Sequence, residues 1–140
     1  MEIIANAVQT VAANQNVYFS DAVTSGNYAI EHRDGSGLVT LRGITNTQCR
    51  ARFRVHFGAN VAIAEGGTVE PISLAISLDG EALPATTMTI TPAAVGNYFN
   101  VSTSVFIDIP QGCCSHIAVK NISGQAIDVQ NANLIAVRAA

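Results

Sequence analysis

Residues Ile72–Gly80, ISLAISLDG, constrain the fold of this chain more than any other stretch. Ile72, Leu74, Ile76 and Leu78 recur at every second position, and Ser73, Ala75 and Ser77 fall between them. Side chains of an extended strand alternate between its two faces, so this pattern predicts a strand with one apolar face. A helix would scatter those four residues around its axis. Asp79-Gly80 follows directly, the pair preferred by a two-residue type I′ hairpin turn, in which both central residues need positive φ. The spacing predicts a return through Glu81–Leu83, a stop at Pro84, and a further strand over Thr86–Thr91.

The same grammar runs through the rest of the sequence. Cys49–Phe57, CRARFRVHF, has the sharpest alternation: Cys49, Ala51, Phe53, Val55 and Phe57 are expected to face inward, and Arg50, Arg52, Arg54 and His56 to line the other face. Tyr98–Ile109 reads as a long strand, with Phe106 and Asp108 on its polar side. Shorter strands are expected at Val17–Ser20, Tyr28–Arg33, Leu38–Arg42, Val61–Ala64, Ser115–Ile122, Ala126–Val129 and Leu134–Arg138. Turn residues separate them: Asn14-Gln15-Asn16, Ser25-Gly26-Asn27, Asp34–Gly37, Gly66-Gly67, Pro110–Gly112 and Ser123-Gly124. Leu134–Val137 has no polar member, so both of its sides are expected to be covered. No stretch has a helical period. About ten short strands with these turns predict one all-β domain over residues 1–140, a two-sheet antiparallel jelly-roll sandwich. Residues 1–15 form an extended N-terminal segment. An immunoglobulin-like sandwich fits less well, because its Cys…Trp…Cys signature requires a tryptophan and the chain has none.

Of the 140 residues, 49% are hydrophobic and only 12% charged. That charged share is about half the usual value. A lone subunit of this size is expected to carry more charge, so part of the surface is expected to be hidden against further copies. A net charge of −3 argues against nucleic-acid binding. No apolar run reaches the ~20 residues of a membrane span. The opening MEIIANAVQT lacks a basic start and interrupts its apolar part with Glu2 and Asn6, so it does not read as a secretory signal. Synthesis in a cytoplasm follows as the expectation.

The residues offer no catalytic motif, and the expectation is a protein that is not an enzyme and uses no cofactor. Cys114 and His116 share a face at i, i+2, but nothing orients them as nucleophile and base. Asp79 and Glu81 flank a turn. The three cysteines, Cys49, Cys113 and Cys114, are odd in number and include a neighbouring pair, a poor disulfide framework and a poor zinc set. The strongest concentration of charge is the Arg50, Arg52, Arg54 and His56 ladder, with side chains about 7 Å apart along one face. It is either a basic docking face for an acidic partner or a strand face whose arginines pair with Asp and Glu on neighbouring strands. Repeated around a symmetry axis, it would need acids from an adjacent subunit.

CRARFRVHF, ISLAISLDGEALP, VFIDIPQGC and IDVQNANLIAVR together resemble the TNF-like (complement-type) jelly-roll superfamily, especially its bacterial branch. The matching features are Ile76–Gly80, Val105–Gly112 and Leu134–Arg138, and the likeness covers residues 38–140. The resemblance implies a homotrimer around an apolar seam, expected at Phe53, Val55, Phe57, Leu134, Ile135 and Val137. A second likeness, carried by VQTVAANQNVYF, SGLVTLRG and IPQGCCSHIAVKNIS, is to small head-associated proteins of phages and prophages of Gram-positive bacteria. It implies a trimeric decoration protein on the capsid surface of a virion, bound to the major capsid protein through a loop end or residues 1–9. A lectin-like or fibre-head binding module is the alternative that the same fold implies.

Overall fold

The structure is a computed structural model and describes residues 1–46, 48–112 and 114–140. Among the described residues there are twelve strands: β1 (Glu2–Ala5), β2 (Gln9–Val11), β3 (Asp21–Thr24), β4 (Ile30–His32), β5 (Val39–Leu41), β6 (Arg50–Ile63), β7 (Ile72–Leu78), β8 (Glu81–Ala82), β9 (Met88–Ile90), β10 (Phe99–Pro110), β11 (Ser115–Asn121) and β12 (Ile127–Arg138). They form two six-stranded sheets. The first, sheet A, runs β10-β6-β12-β1-β3, with β2 also on β12. The second, sheet B, runs β4-β5-β11-β7-β8, with β9 also on β7. All pairings are antiparallel. This is the two-sheet jelly roll that the alternation predicts.

Each sheet turns one face inward. Phe53, Val55 and Phe57 of β6 meet Ile72, Leu74 and Ile76 of β7, together with Leu41, Ile117 and Ile127, in one continuous core. Phe19 stands edge-on to Phe57, ring centroids 6.4 Å apart, a favourable aromatic geometry. The organising hairpin forms as expected: Asp79 has φ 51° and Gly80 φ 91°, and Ser77 and Leu78 pair with Ala82 and Glu81. Asp79 also closes the sheet laterally, since its Oδ1 accepts from the His116 N–H at 2.8 Å.

Several elements depart from the sequence reading. Val17–Ser20 is extended but forms no strand. It is held instead by single backbone bonds, Val17 N–H to the Val119 carbonyl and Phe19 N–H to the Ser36 carbonyl, while Val17 and Phe19 plug the core. Thr86–Thr91 splits into a 3₁₀ turn at Pro84–Thr86 and the strand β9. Ala126–Val129 and Leu134–Arg138 are one strand. β12 stays paired with β6 across a register shift between Gln130 and Asn133, where Asn131 takes φ 53°. An extra residue absorbed in this way leaves both halves with the same inward face.

Residues 1–9 do not form a detached arm. Ile3 is in the core, β1 lies between β12 and β3, and the Met1 amine donates to the Ala136 carbonyl at 2.8 Å. The segment is therefore built into the sandwich, and only its exposed side chains, Asn6 to Val8 among them, face outward.

Candidate functional site

The outer face of sheet A carries the ladder singled out in the sequence. Because Ala51, Phe53, Val55 and Phe57 point into the core, Arg50, Arg52, Arg54 and His56 point out. β10 lies beside them in continuous register and sets Asp108 opposite Arg52, Phe106 opposite Arg54 and Ser104 opposite His56. On the other side, β12 sets Val137 opposite Arg54 and Ile135 opposite His56.

Asp108 pairs with both arginines in the lower half of the ladder. Its Oδ2 lies 3.0 Å from Arg50 Nε, and its Oδ1 lies 2.8 Å from Arg52 Nε. The hydrogen bond from Arg52, reinforced by the charges of both arginines, holds the Asp108 carboxyl below the usual carboxylate range. The same hydrogen bond raises Arg52. The pairing of these two arginines with an acid on a neighbouring strand was one of the two readings open from the sequence.

Arg54 has a different environment. Among the described residues it makes no hydrogen bond or ion pair. Its cross-strand neighbours are apolar and open to solvent, Phe106 at 63% exposure and Val137 at 42%. Arg54, His56, Ile135 and Val137 line a shallow depression of about 350 Å³. Two strands further across the sheet the face turns acidic. Glu2 is paired with Ile135 and Thr24, and Asp21 with Ile4.

The expected trimer seam divides accordingly. Phe53, Val55, Phe57 and Leu134 lie inside the chain's own sandwich, at 1% exposure or less. They have no surface left for a second subunit, which corrects their placement at an interface. The cause is the layering of the fold, in which these apolar faces cover sheet B rather than another copy. Ile135 and Val137 lie on the opposite face, Ile135 half-buried and Val137 exposed. Leu134–Val137 is therefore covered on one side only within the chain. Phe106 was missed as a surface feature, although its position on the polar side of β10 was the available signal.

The remaining candidates come together less. His116 Nδ1 is 3.1 Å from Thr40 Oγ1, and its backbone is tied to Asp79. Cys49, expected to face inward, lies just before β6 begins and is exposed, as is Cys114, and Cys113 lies outside the described residues. Among the described residues no group of three or more His, Cys, Asp or Glu is placed to hold a metal ion. His32 is buried against Phe19, its Nε2 3.0 Å from the Ser36 carbonyl and its Nδ1 without a hydrogen-bond partner. A second open region lies along β4 and β5. There Arg42 pairs with Glu31, and its guanidinium carbon stands 5.7 Å from the centre of the Tyr28 ring.

No protein-family model matches the sequence, and no curated protein matches it. Solved structures do match the fold. The globular domain of zebrafish complement 1qA protein superposes with a TM-score of 0.63 at 13% identity, covering 96% of this chain and 93% of that one. Murine APRIL, in a crystal structure at pH 5.0, superposes with a TM-score of 0.59 at 12% identity, covering 91% of this chain and 95% of that one. At such identity the likeness concerns the fold alone. The chain shares the two-sheet jelly-roll fold of these two proteins.

Proposed function

We propose that this protein is a non-enzymatic assembly protein that works as a homotrimer, built through the outer face of sheet A. The observation that carries this reading is the exposed apolar pair Phe106 and Val137, with the half-buried Ile135 beside them, at the centre of β10-β6-β12. They sit on a chain with only 12% charged residues. Clustered exposed apolar surface of this kind marks an interaction site. The threefold state follows from the resemblance of the sequence motifs to the TNF-like superfamily. Sedimentation equilibrium tests it: a three-chain mass is expected, and a single-chain mass at every concentration overturns it.

The partner we propose is the coat lattice of a phage head, which the trimer decorates and braces. This finer reading is supported by the likeness of VQTVAANQNVYF, SGLVTLRG and IPQGCCSHIAVKNIS to phage head-associated proteins. A rigid trimer touching several coat subunits gains tight attachment from weak contacts, because each contact raises the effective concentration of the next. Mass spectrometry of purified virions checks it. Copy numbers comparable with the coat protein are expected, and a handful of copies per particle would overturn shell decoration.

One observation favours a second reading, a trimeric surface binding module. Tyr28 is 80% exposed beside the Arg42–Glu31 pair, and Gly26, Asn27, Tyr28, Glu31 and Arg42 border an open depression. An aromatic face next to planar polar groups suits a saccharide. A glycan array probed with wild-type protein and with Tyr28→Ala tests this. Binding lost in the variant favours it, and no binding by either counts against it.

A further inference from the structure

The outer face of sheet A is divided by charge. In its basic half Asp108 satisfies Arg50 and Arg52, which leaves Arg54 beside His56. Its acidic half, Glu2 on β1 and Asp21 on β3, begins two strands away. At ~4.8 Å per strand the two halves are about 10 Å apart. Each acid is half-occupied: Glu2 Oε2 accepts from Asn133 Nδ2 at 2.5 Å, and Asp21 Oδ2 accepts from Ser20 Oγ at 3.2 Å. The other oxygen of each has no partner among the described residues. Arg54 lies between Phe106 and Val137, the side chains that the proposed assembly would bury. Withdrawing a guanidinium from water is strongly unfavourable unless an anion meets it. Whatever covers Phe106 and Val137 must therefore bring a carboxylate to Arg54, and this chain carries suitable ones on the same face.

We infer that the occupant of this face is a second copy of the chain, set head to tail. The Arg54–His56 half of one copy meets the Glu2–Asp21 half of the next. The inference rests on the self-association proposed above and names its ionic contact. Each copy offers a basic side to one neighbour and an acidic side to the other, the heterologous pattern that closes into a ring. Docking that superposes the two basic halves would set Arg54 against Arg54 and is disfavoured by repulsion; a twofold pairing of basic with acidic halves would instead give a two-chain species.

Charge reversal tests the contact by sedimentation equilibrium, with circular dichroism as the folding control. Arg54→Glu alone, and Glu2→Lys with Asp21→Lys, are each expected to raise the dissociation constant about 100-fold. All three substitutions together in one chain are expected to restore the wild-type three-chain mass. If Arg54→Glu fails to fold, Arg54→Gln should weaken assembly in the same direction. A wild-type trimer that none of these changes disturbs overturns the ionic contact and leaves the assembly reading standing. A two-chain species overturns the ring. A wild-type chain that never associates overturns both.

Discussion

Asp108 stands opposite Arg52 in the β6–β10 ladder and accepts two hydrogen bonds from its guanidinium, Oδ1 from Nε at 2.8 Å and Oδ2 from Nη2 at 3.1 Å. Because Arg50 reaches the same carboxylate, one acid holds two rungs of the ladder in place. The pair lies at the surface, where water screens it, so its contribution to stability is small. Its sign is nevertheless fixed. Asp108 is held below its ordinary range in the folded chain, so it stabilises the fold above the unfolded carboxylate value of about 3.9. That contribution is lost as pH falls through the folded value. Asp108→Asn is therefore expected to be less stable than wild type near neutral pH, with the gap closing in acid. Urea midpoints across that range check it, and a gap independent of pH would assign the effect to packing.

Gly43 has no room for a side chain. A Cβ there would lie 1.9 Å from the Pro110 carbonyl oxygen, and the Gly43 carbonyl itself accepts from Gly112 N–H at 3.1 Å. The obstacle is backbone at the end of β10 and cannot swing away. Gly43→Ala is expected to cost about 2 kcal/mol, read as a lower denaturation midpoint. An unchanged midpoint would mean that the β10 end moves freely.

Two phenylalanines separate folding from assembly. Phe57 is enclosed by the sandwich, and Phe106 lies on its outer face. Phe57→Ala is expected to destabilise the chain by about 3–5 kcal/mol. Phe106→Asp is expected to change stability by no more than about 0.5 kcal/mol, as most surface substitutions do, while weakening self-association. Chemical denaturation of a dilute sample and sedimentation of a concentrated one give the two readouts. A Phe106→Asp chain that assembles like wild type would remove the apolar face from the interface.

Asn121 is fully buried and uses its whole amide. Nδ2 donates to the Val11 carbonyl at 3.0 Å and to the Gln125 carbonyl at 3.0 Å, and Oδ1 accepts from Ser123 N–H at 2.9 Å. It thereby ties β2 to the turn between β11 and β12. Asn121→Ala leaves a buried donor and acceptors unsatisfied, at about 1–3 kcal/mol for each group stranded. Proteolysis of that turn, followed by mass spectrometry, is expected to accelerate in the variant.

Much of this architecture was legible in the residues because a strand's code is local. Alternation at β6, β7 and β10 reports which side chains share a face, and Asp79-Gly80 reports the turn without reference to anything distant. Asn121 and Phe19 were not legible, since their roles depend on partners brought close only by folding. Phe19 lies in an unpaired extended segment whose VYFS pattern imitates a strand. Its backbone bonds go to Ser36 and Gly35, so no ladder forms.

The sequence alone determined the β-sandwich class, the organising hairpin and the division of β6 into an apolar and a basic face. Only the tertiary structure decided which residues share the open side with Arg54. Alternation within one strand says which side chains share a face, but not which strands lie beside it. Sheet B covers Phe53, Val55, Phe57 and Leu134, and it leaves Arg54, Phe106, Ile135 and Val137 together on the open side. That juxtaposition depends on register across three strands far apart in the chain, and no local pattern encodes it.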